Sequence, residues 1–344
     1  MKEVSIKIIN QNEVAAIFKN RTDYVLKIVE DAFIKWANNE VLLPDKISQI
    51  FDQQTQNRIN CMPATLLKDK VSGMKWVSVF PANALKGVPN VSGVMLLSEI
   101  ETGFPQAVID GTLCTRMRTA AVGAVAAKYL APRNPQTIGF LGAGEEARMH
   151  FILLKHLFPT IKTCRVASRK TISENSFINE LSAAVTDVEF IACRGDYSKA
   201  ATNTDIIVTA ISGQVPLLKA KDVRSGTLYI HVGGWEDEYA VAQKADKIVC
   251  DDWESSKHRT QTISRMYVEG LLKDSDIYAN LAEIISGKKS GRENNQEFIY
   301  FNSVGLSFID LNFANEIYKQ ACSMGLGHDI ILTGADPINL KDFI

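Results

Sequence analysis

The sequence has almost no net charge and no long apolar run, and these two absences exclude whole classes of function. It carries 38 Lys and Arg residues against 39 Asp and Glu, a formal net charge of -1, so the charge balance does not favour a nucleic-acid partner. No apolar run approaches the roughly 20 residues that a membrane-spanning helix needs. The start, MKEVSIKIIN, lacks the apolar core of a signal peptide. We therefore expect a soluble, cytoplasmic protein with no membrane partner.

Closely spaced cysteines are also missing. The six cysteines and five histidines are scattered, without a C-x-x-C pair or the short spacings of a metal site, so we predict no bound metal. In a reducing compartment we expect such thiols to be small buried apolar residues. Cys114 lies near a helix that we expect at the active site, but its sequence neighbours do not indicate an activated thiolate.

What the 344 residues do contain is a change of pattern. The first block has a helical stretch followed by alternating apolar runs with Gly, Pro and Asn turns, which predicts antiparallel strands. From Thr137 onward, buried apolar runs alternate with helical segments, which predicts a parallel sheet covered by helices. The fold class is therefore α/β. We assign residues 132–313 to a Rossmann-type domain, and residues 1–131 with 314–344 to a second α/β domain with largely antiparallel strands.

The segment TIGFLGAGEEARMHF places a G-x-G-x-x-A pattern between a predicted strand and a predicted helix, which is the context of a dinucleotide-binding loop. The first glycine permits a tight turn, the second lets the backbone approach a pyrophosphate, and the small third residue keeps helix and strand close. The helix N-terminus favours the negative charge of the pyrophosphate. The predicted contacts in this loop are Gly142, Ala143, Gly144, Glu145, Glu146 and Ala147.

The next predicted strand, TCRVAS, ends without the acid that favours NAD by accepting a hydrogen bond from the ribose 2′-OH. Ser168, Arg169 and Lys170 follow instead, and these side chains can bind a phosphate. The predicted cofactor is NAD or NADP, with NADP slightly favoured; the alternative is a solvated basic turn. Farther on, DIIVTAISG resembles a strand end beside the nicotinamide ribose. The predicted contacts there are Thr209, Ala210 and Ser212, and Val232 is a further predicted cofactor contact.

The first block carries segments that resemble a known family. In order, these are NRINCMPA, GMKWV, SGVMLL, TGFPQAVIDG and TRMRTAA, and their order and approximate spacing are similar to those of the ornithine cyclodeaminase/mu-crystallin family. LGAGEEA follows where that family has its cofactor loop, and FNSVGLSFIDL resembles its late Gly-containing segment. The resemblance implies a homodimer whose N-terminal α/β domain carries the substrate contacts and the subunit interface. It also implies hydride transfer between a nicotinamide and the α-carbon of an amino acid or its imine.

Basic residues in these motifs predict how a small amino acid substrate is held. Lys75 and Arg118 suit a carboxylate, and the guanidinium offers a two-pronged grip. Either charge alone would more often be a surface residue, so the motif context decides their assignment as catalytic and substrate-binding. Lys46, in LPDK, and Met62 complete the predicted substrate-binding set. Lys75 is also the candidate for moving a proton during imine formation.

Two departures from the cyclodeaminases of this family bear on the reaction. The resemblance places a Glu two residues before the Met of an MP pair, where this chain has Asn60, and an Asp after two glycines, where it has Trp235. In cyclodeaminases these carboxylates manage the protons of ring closure, so their replacement argues against that reaction. Asp237 is left open as a substitute.

Two later segments, KADKIVCDDWESSKHRTQTISRMYVEGLL and LAEIISGKKSGRE, resemble the branch that makes 2,3-diaminopropionate for staphyloferrin-type siderophores. That branch oxidatively cleaves N-(2-amino-2-carboxyethyl)-L-glutamate to 2,3-diaminopropionate and 2-oxoglutarate. It carries an Asp where this chain has Ser168, so the cofactor choice stays open. We predict an NAD(P)-dependent oxidoreductase of this kind. The alternatives are an ornithine or lysine cyclodeaminase, a ketimine reductase, and a non-catalytic, NADPH-binding crystallin-like protein.

Overall fold

A computed structural model describes residues 3–52, 54–211, 213–334 and 341, apart from the side chain of Ala84. The helices are α1 (Gln11–Phe18), α2 (Thr22–Ala37), α3 (Thr112–Leu130), α4 (Glu145–Leu157), α5 (Thr171–Ala184), α6 (Tyr197–Ala201), α7 (Tyr239–Lys244), α8 (Trp253–Ser256), α9 (Thr262–Val268), α10 (Leu281–Ile285) and α11 (Ser307–Met324). The strands are β1 (Val4–Ile9), β2 (Val41–Leu42), β3 (Ile47–Asp52), β4 (Asn57–Leu66), β5 (Val71–Val79), β6 (Val91–Glu99), β7 (Pro105–Asp110), β8 (Thr137–Leu141), β9 (Thr163–Ala167), β10 (Glu189–Ala192), β11 (Ile206–Thr209), β12 (Leu228–His231), β13 (Lys247–Cys250), β14 (Ala279–Asn280), β15 (Ile299–Asn302) and β16 (His328–Thr333).

The chain divides into two compact units. The first consists of Met1–Arg21, Asn39–Thr115 and Ser307–Ile344, and the second of Thr22–Asn38 and Arg116–Leu306. The predicted first domain included α2, but in the structure this helix groups with the second unit, where it packs against α10. The predicted boundary after residue 313 falls inside α11, which is continuous.

The sheet of the first unit has the strand order β16-β1-β7-β6-β5-β4-β2, and β3 also pairs with β4. Every pairing is antiparallel except that of β1 with β7. Alternate residues of β4 are buried, as expected of a strand with one covered face, and α11 packs on β4, β5 and β6. This confirms the largely antiparallel α/β domain. After α11, residues His328–Thr333 form β16, which pairs with β1.

The sheet of the second unit is parallel throughout, with the order β10-β9-β8-β11-β12-β15-β13-β14. Its central strands are buried at every position, as in sheets covered on both faces. This confirms the Rossmann-type domain. Strand order reverses between β8 and β11, and ligands of open α/β sheets bind at the carboxyl ends of the strands beside such a reversal. The loops that follow β8, β11 and β12 are therefore the place to look for a site.

Helix α3 is rich in small residues, and every residue from Ala120 to Ala127 is buried. Its close approach to α4 depends on Gly123, because a Cβ added there would lie 2.7 Å from Nε2 of His150. Across the described residues, no helix combines the length and the apolar character needed to cross a bilayer.

Candidate active site

The loop between β8 and α4 has the geometry that the glycine pattern predicts. Gly142 has a φ of 115°, and a Cβ added to it would come 2.5 Å from the carbonyl oxygen of Ala210, so this position needs glycine. Gly144 is the N-cap residue of α4 without a side-chain cap, and a Cβ added there would meet nothing within 4 Å. Ala147 is fully buried. Open space before an uncapped helix N-terminus fits the pyrophosphate of a dinucleotide.

The other predicted residues of this loop offer mainly their backbone groups to a ligand. Ala143 is buried, and its carbonyl accepts a hydrogen bond of 2.6 Å from Nη1 of Arg148, a residue that sequence reasoning missed. Glu145 is exposed and its carboxylate lies 3.4 Å from Nη1 of Arg116. Glu146 is half-buried. Because carboxylates repel phosphate, the amide groups at the start of α4 are the parts of Glu145 and Glu146 that suit this ligand.

At the end of β9, the structure reveals an acid that the sequence reading did not consider. Arg169 and Lys170 are exposed, whereas Ser168 is buried. The fully buried carboxylate of Glu174, from the first turn of α5, accepts hydrogen bonds from the backbone N–H groups of Ser168 (2.8 Å), Arg194 (2.7 Å) and Gly195 (2.8 Å). The strand end therefore carries a buried negative group as well as two exposed cations.

The residues predicted to lie near the nicotinamide follow β11 and β12. The hydroxyl of Thr209 is buried and bonds to Oε2 of Glu236 (2.6 Å) and to the hydroxyl of Tyr229 (2.9 Å), so it serves the interior of the unit. Ala210 and Val232 are partly exposed at the two strand ends. Ser212 lies outside the described residues.

Asp237, left open as a replacement acid, is sealed inside the parallel-sheet unit. Its Oδ1 accepts hydrogen bonds from the hydroxyls of Tyr229 (3.2 Å), Tyr300 (3.2 Å) and Thr262 (2.6 Å). Burial raises the pKa of Asp237 to about 6. A fully buried carboxylate with these partners is placed to organise the protein rather than to meet a substrate. Trp235 is half-buried, and the guanidinium of Arg265 lies 4.7 Å from the centre of its ring.

In the first unit, Lys75 forms a buried ion pair that the sequence did not reveal. Its Nζ lies 2.7 Å from Oδ1 of Asp310 on α11, and both side chains are at most 2% exposed. Lys75 stands opposite Met62 in the register of β4 and β5, so two predicted substrate residues are cross-strand neighbours. Nearby Cys114 is fully buried, which raises the pKa of its thiol well above the usual value; it is the opposite of an activated thiolate.

Two other predicted positions lie along β3 and β4. Lys46 is half-buried and directly precedes β3, whose first residue, Ile47, pairs with Cys61. Asn60 is buried and its Oδ1 accepts a hydrogen bond of 2.8 Å from Oγ of Ser48. The amide that stands in the place of the cyclodeaminase acid is thus part of the sheet's own hydrogen bonding.

Arg118, in the second unit, is enclosed by a glycine turn. The side chain is buried, and a Cβ added to Gly305 would lie 2.6 Å from its Nη1. Oδ2 of Asp251 accepts hydrogen bonds from the N–H groups of Val304 (2.8 Å) and Gly305 (2.9 Å), which fixes this turn. Burial raises the pKa of Asp251 to about 6. Sequence reasoning placed Arg118 in the site but missed Gly305 and Asp251.

The sequence pattern of the Ornithine cyclodeaminase/mu-crystallin family matches residues 7–325. The chain belongs to this family. It is 33% identical to the alanine dehydrogenase of Archaeoglobus fulgidus, over 94% of this chain and 97% of that protein. It is 26% identical to the N-((2S)-2-amino-2-carboxyethyl)-L-glutamate dehydrogenase of Staphylococcus aureus, over 93% of this chain and 96% of that protein.

Two solved structures of family relatives share the fold closely. The Delta(1)-pyrroline-2-carboxylate reductase of Thermococcus litoralis, in complex with NADH and L-proline, superposes with a TM-score of 0.88 at 29% identity, over 94% of this chain and 100% of that one. An archaeal alanine dehydrogenase dimer with bound NAD gives a TM-score of 0.87 at 30% identity, over 96% of this chain and 100% of that one. The predicted family and fold class are both confirmed.

Proposed function

We propose that this protein is an NAD-dependent oxidoreductase that interconverts amino acids and their imines. The observation that carries the proposal is the turn at Gly144, which opens before the N-terminus of α4 at the strand-order reversal of the parallel sheet. Relatives in the same family are an alanine dehydrogenase and a reductase that binds NADH. These comparisons support NAD; the preference for NADP that Ser168, Arg169 and Lys170 suggested has no support in them.

In this proposal, different residues of the parallel-sheet unit bind different parts of the coenzyme. The amide groups of the Gly142–Ala147 loop would hold the pyrophosphate, the β9 end at Ser168 the adenosine ribose, and Ala210 and Val232 the nicotinamide end. When bound, the nicotinamide supplies the acceptor or donor of a hydride at the substrate α-carbon. The protein's own contribution is to orient the coenzyme and the substrate.

We assign the substrate carboxylate to Lys75 and Arg118, with Lys46 and Met62 as further contacts. Asp310 pairs with the ammonium of Lys75, and the buried guanidinium of Arg118 lies against the Gly305 turn. Holding a substrate in one orientation supplies a large part of a barrier reduction, so side chains with such rigid surroundings suit this role. Lys75 is also the group that we expect to move a proton, with Asp310 as its partner.

For the specific reaction, we propose oxidative cleavage of N-(2-amino-2-carboxyethyl)-L-glutamate. Oxidation of the glutamate Cα–N bond gives an imine, water adds to it, and the C–N bond breaks to release 2,3-diaminopropionate and 2-oxoglutarate. The match to the Staphylococcus aureus dehydrogenase supports this substrate. So do Asn60 and Trp235, which replace the carboxylates needed for ring closure. The product points to siderophore synthesis or related metabolism.

Reduction of a cyclic imine is the second candidate, favoured by the match to the Thermococcus litoralis reductase. Cyclodeamination of ornithine or lysine has less support because of Asn60 and Trp235. A crystallin-like protein that binds the coenzyme without turnover is the remaining alternative.

A substrate panel tests these candidates. The protein is incubated with NAD or NADP and N-(2-amino-2-carboxyethyl)-L-glutamate, alanine, proline or ornithine, and with NADH or NADPH and pyrroline-2-carboxylate. Nicotinamide absorbance and the release of ammonia are followed. We expect reduction of NAD with the first substrate. Turnover of pyrroline-2-carboxylate alone would select the second candidate. Release of ammonia from ornithine without net absorbance change would select the cyclodeaminase, and flat traces throughout would contradict the oxidoreductase.

A further inference from the structure

Behind the carboxyl ends of β11, β12 and β15, a series of hydrogen bonds determines which atoms carry hydrogen. It starts at Gln261, whose Nε2 lies 2.9 Å from the carbonyl oxygen of Gly233 and 2.8 Å from that of Ser303. Carbonyl oxygens only accept hydrogen bonds, so the nitrogen end of this amide must face them. Its oxygen, Oε1, is then the atom that faces Nδ2 of Asn302, at 3.1 Å.

The orientation of Asn302 in turn determines the state of His231. With Nδ2 donating to Gln261, Asn302 presents Oδ1 to Nδ1 of His231 at 2.8 Å, so Nδ1 must donate. On the other side of the ring, Nε2 lies 2.7 Å from the carbonyl oxygen of Gly234, so Nε2 must donate as well. A histidine that donates from both ring nitrogens is an imidazolium.

The surroundings of His231 supply the charge that a buried cation needs. Its Nε2 lies 3.4 Å from Oε2 of Glu236 and 3.8 Å from Oδ1 of Asp237, and all three side chains are fully buried. The hydroxyl of Tyr300 is 3.2 Å from Nδ1 but also 3.2 Å from Oδ1 of Asp237, to which it donates. Two acids facing one cation offset much of the desolvation that would otherwise neutralise it.

The same cluster holds the two loops that border the proposed nicotinamide position. His231 binds the carbonyl of Gly234, while Glu236 accepts hydrogen bonds from the N–H groups of Gly233 (2.9 Å) and Ile211 (2.6 Å). Gly233 allows this approach, because a Cβ there would lie 2.3 Å from Oε1 of Glu236. Residues after β11 and after β12 are therefore tied to a single charged group.

We propose that His231 is a permanent imidazolium that acts as a positioning residue, holding the loops after β11 and β12 in the shape that receives the nicotinamide end of the coenzyme. The charge state follows from the hydrogen bonds alone, whereas the effect on the coenzyme rests on the proposed function. These two parts can be measured separately.

Nuclear magnetic resonance of the ¹⁵N-histidine-labelled full chain tests the charge. We expect both ring nitrogens of His231, assigned by their loss in His231→Gln, to keep protonated shifts from about pH 6 to about pH 9, where an ordinary histidine has lost one proton. Asn302→Asp keeps an acceptor at Nδ1 and should preserve the imidazolium, whereas Asn302→Leu removes it and should let the ring titrate. A wild-type ring with one unprotonated nitrogen across this range overturns the proposal.

Coenzyme titration tests the positioning. We expect His231→Gln and Asn302→Leu to weaken NADH binding about tenfold, the factor for a free-energy loss of about 1.4 kcal/mol. The exposed His156, changed to Gln, is the control and should leave the Kd unchanged. If His231→Gln does not fold, Asn302→Leu gives the same comparison. Unchanged binding in both variants overturns the positioning role. Absence of binding by the wild type overturns the proposed function and with it the coenzyme step, but leaves the charge result intact.

Discussion

At the scale of single residues, the turn at Gly305 encloses the guanidinium of Arg118 so closely that it leaves no space for a methyl group. The φ of Gly305 is 76°, in the left-handed region that favours glycine, and an added Cβ would lie 2.6 Å from Nη1 of Arg118. Gly287 has the same φ of 76° but nothing within 4 Å of an added Cβ. A comparison of alanine variants at the two glycines therefore separates the effect of backbone strain from the effect of displacing Arg118.

We predict that Gly305→Ala raises the KM for the amino acid substrate about tenfold or more while changing the Kd for NADH little. Gly287→Ala should share the stability loss, about 1 kcal/mol for forcing alanine into a positive φ, without the kinetic effect. Steady-state kinetics and thermal unfolding of both variants provide the comparison. Equal KM values in the two variants would show that Arg118 does not contact the substrate.

A second residue-scale prediction concerns the ion pair of Lys75 with Asp310. Removing one partner of a buried ion pair costs about 3–5 kcal/mol, because the remaining charge loses the opposite charge beside it. Lys75→Met and Asp310→Leu should each lower the free energy of unfolding by that amount, and the double variant should recover most of it. Substrate turnover should be lost in all three. Chemical denaturation measures the coupling, and a double variant no more stable than the single ones would show that the pair is not what holds these side chains.

The sequence motifs locate Lys75 and Arg118 but not the residues that hold them. Asp310 is 235 positions from Lys75, and Asn302 is 71 positions from His231. Such partners depend on tertiary packing, which no local pattern encodes. The fully buried Glu174 and Glu236 escaped notice for the same reason, since an acid in a sequence looks like a surface residue until its amide donors are known. An acid within an apolar segment, as in LSFIDL, was the one available signal.

At the scale of elements, the contact of α3 with α4 leaves His150 without charge. Its ring is fully buried with Nδ1 2.8 Å from the carbonyl oxygen of Glu146, and burial lowers its pKa to about 4. The unfolded chain, with an ordinary pKa of about 6.5, binds the proton first on acidification. The contribution of His150 to the free energy of unfolding is therefore complete above about pH 6.5, and it decreases as the pH falls toward 4.

We predict that replacing His150 with Leu changes the pH dependence of stability. The difference in unfolding free energy between the variant and the wild type should shift in favour of the variant by about 1.4 kcal/mol per pH unit between roughly pH 6.5 and pH 4. The buried Asp237 and Asp251 titrate in both proteins and cancel in this difference. Urea unfolding at a series of pH values measures it. A difference that does not vary with pH would mean that the ring is protonated in the folded state.

Element types followed well from the sequence where burial is uniform or alternating. The parallel strands β8 to β13 follow apolar runs, and β4 to β7 lie in alternating segments, so these parts of the two sheets were predictable, whereas β1, β3 and β15 were not predicted. The strand β16 was not predicted, because His328–Thr333 becomes a strand by pairing with β1, which is distant in sequence. The grouping of α2 with the second unit was missed as well, since the sequence of an amphipathic helix does not reveal which surface the helix packs against.

At the scale of the whole molecule, the first unit has apolar side chains exposed on its β3 strand. Ile47, Ile50 and Phe51 all face solvent, and exposed apolar clusters commonly mark an association surface. The archaeal alanine dehydrogenase of this family is a dimer. We propose that this chain is a homodimer that uses β3.

Sedimentation velocity is expected to show a dimer for the wild type and a monomer, or a much weaker dimer, for Phe51→Lys. Val268→Lys is the control, because Val268 is also an exposed apolar residue, on α9 of the other unit, and its replacement should not alter association. A dimer that persists in Phe51→Lys at micromolar concentration would place the interface elsewhere.

The first unit draws β1 to β7 from the early part of the chain, whereas its covering helix, α11, and its last strand, β16, come from a segment more than two hundred residues later. On the ribosome, Lys75 emerges 235 residues before Asp310, a delay of roughly 10–50 s at ordinary elongation rates. Throughout that interval these strands lack the helix that packs on them and Lys75 lacks the carboxylate of Asp310. We therefore expect the nascent first unit to be most exposed to proteolysis and chaperone binding after β7 has been made, until α11 and then β16 have been translated.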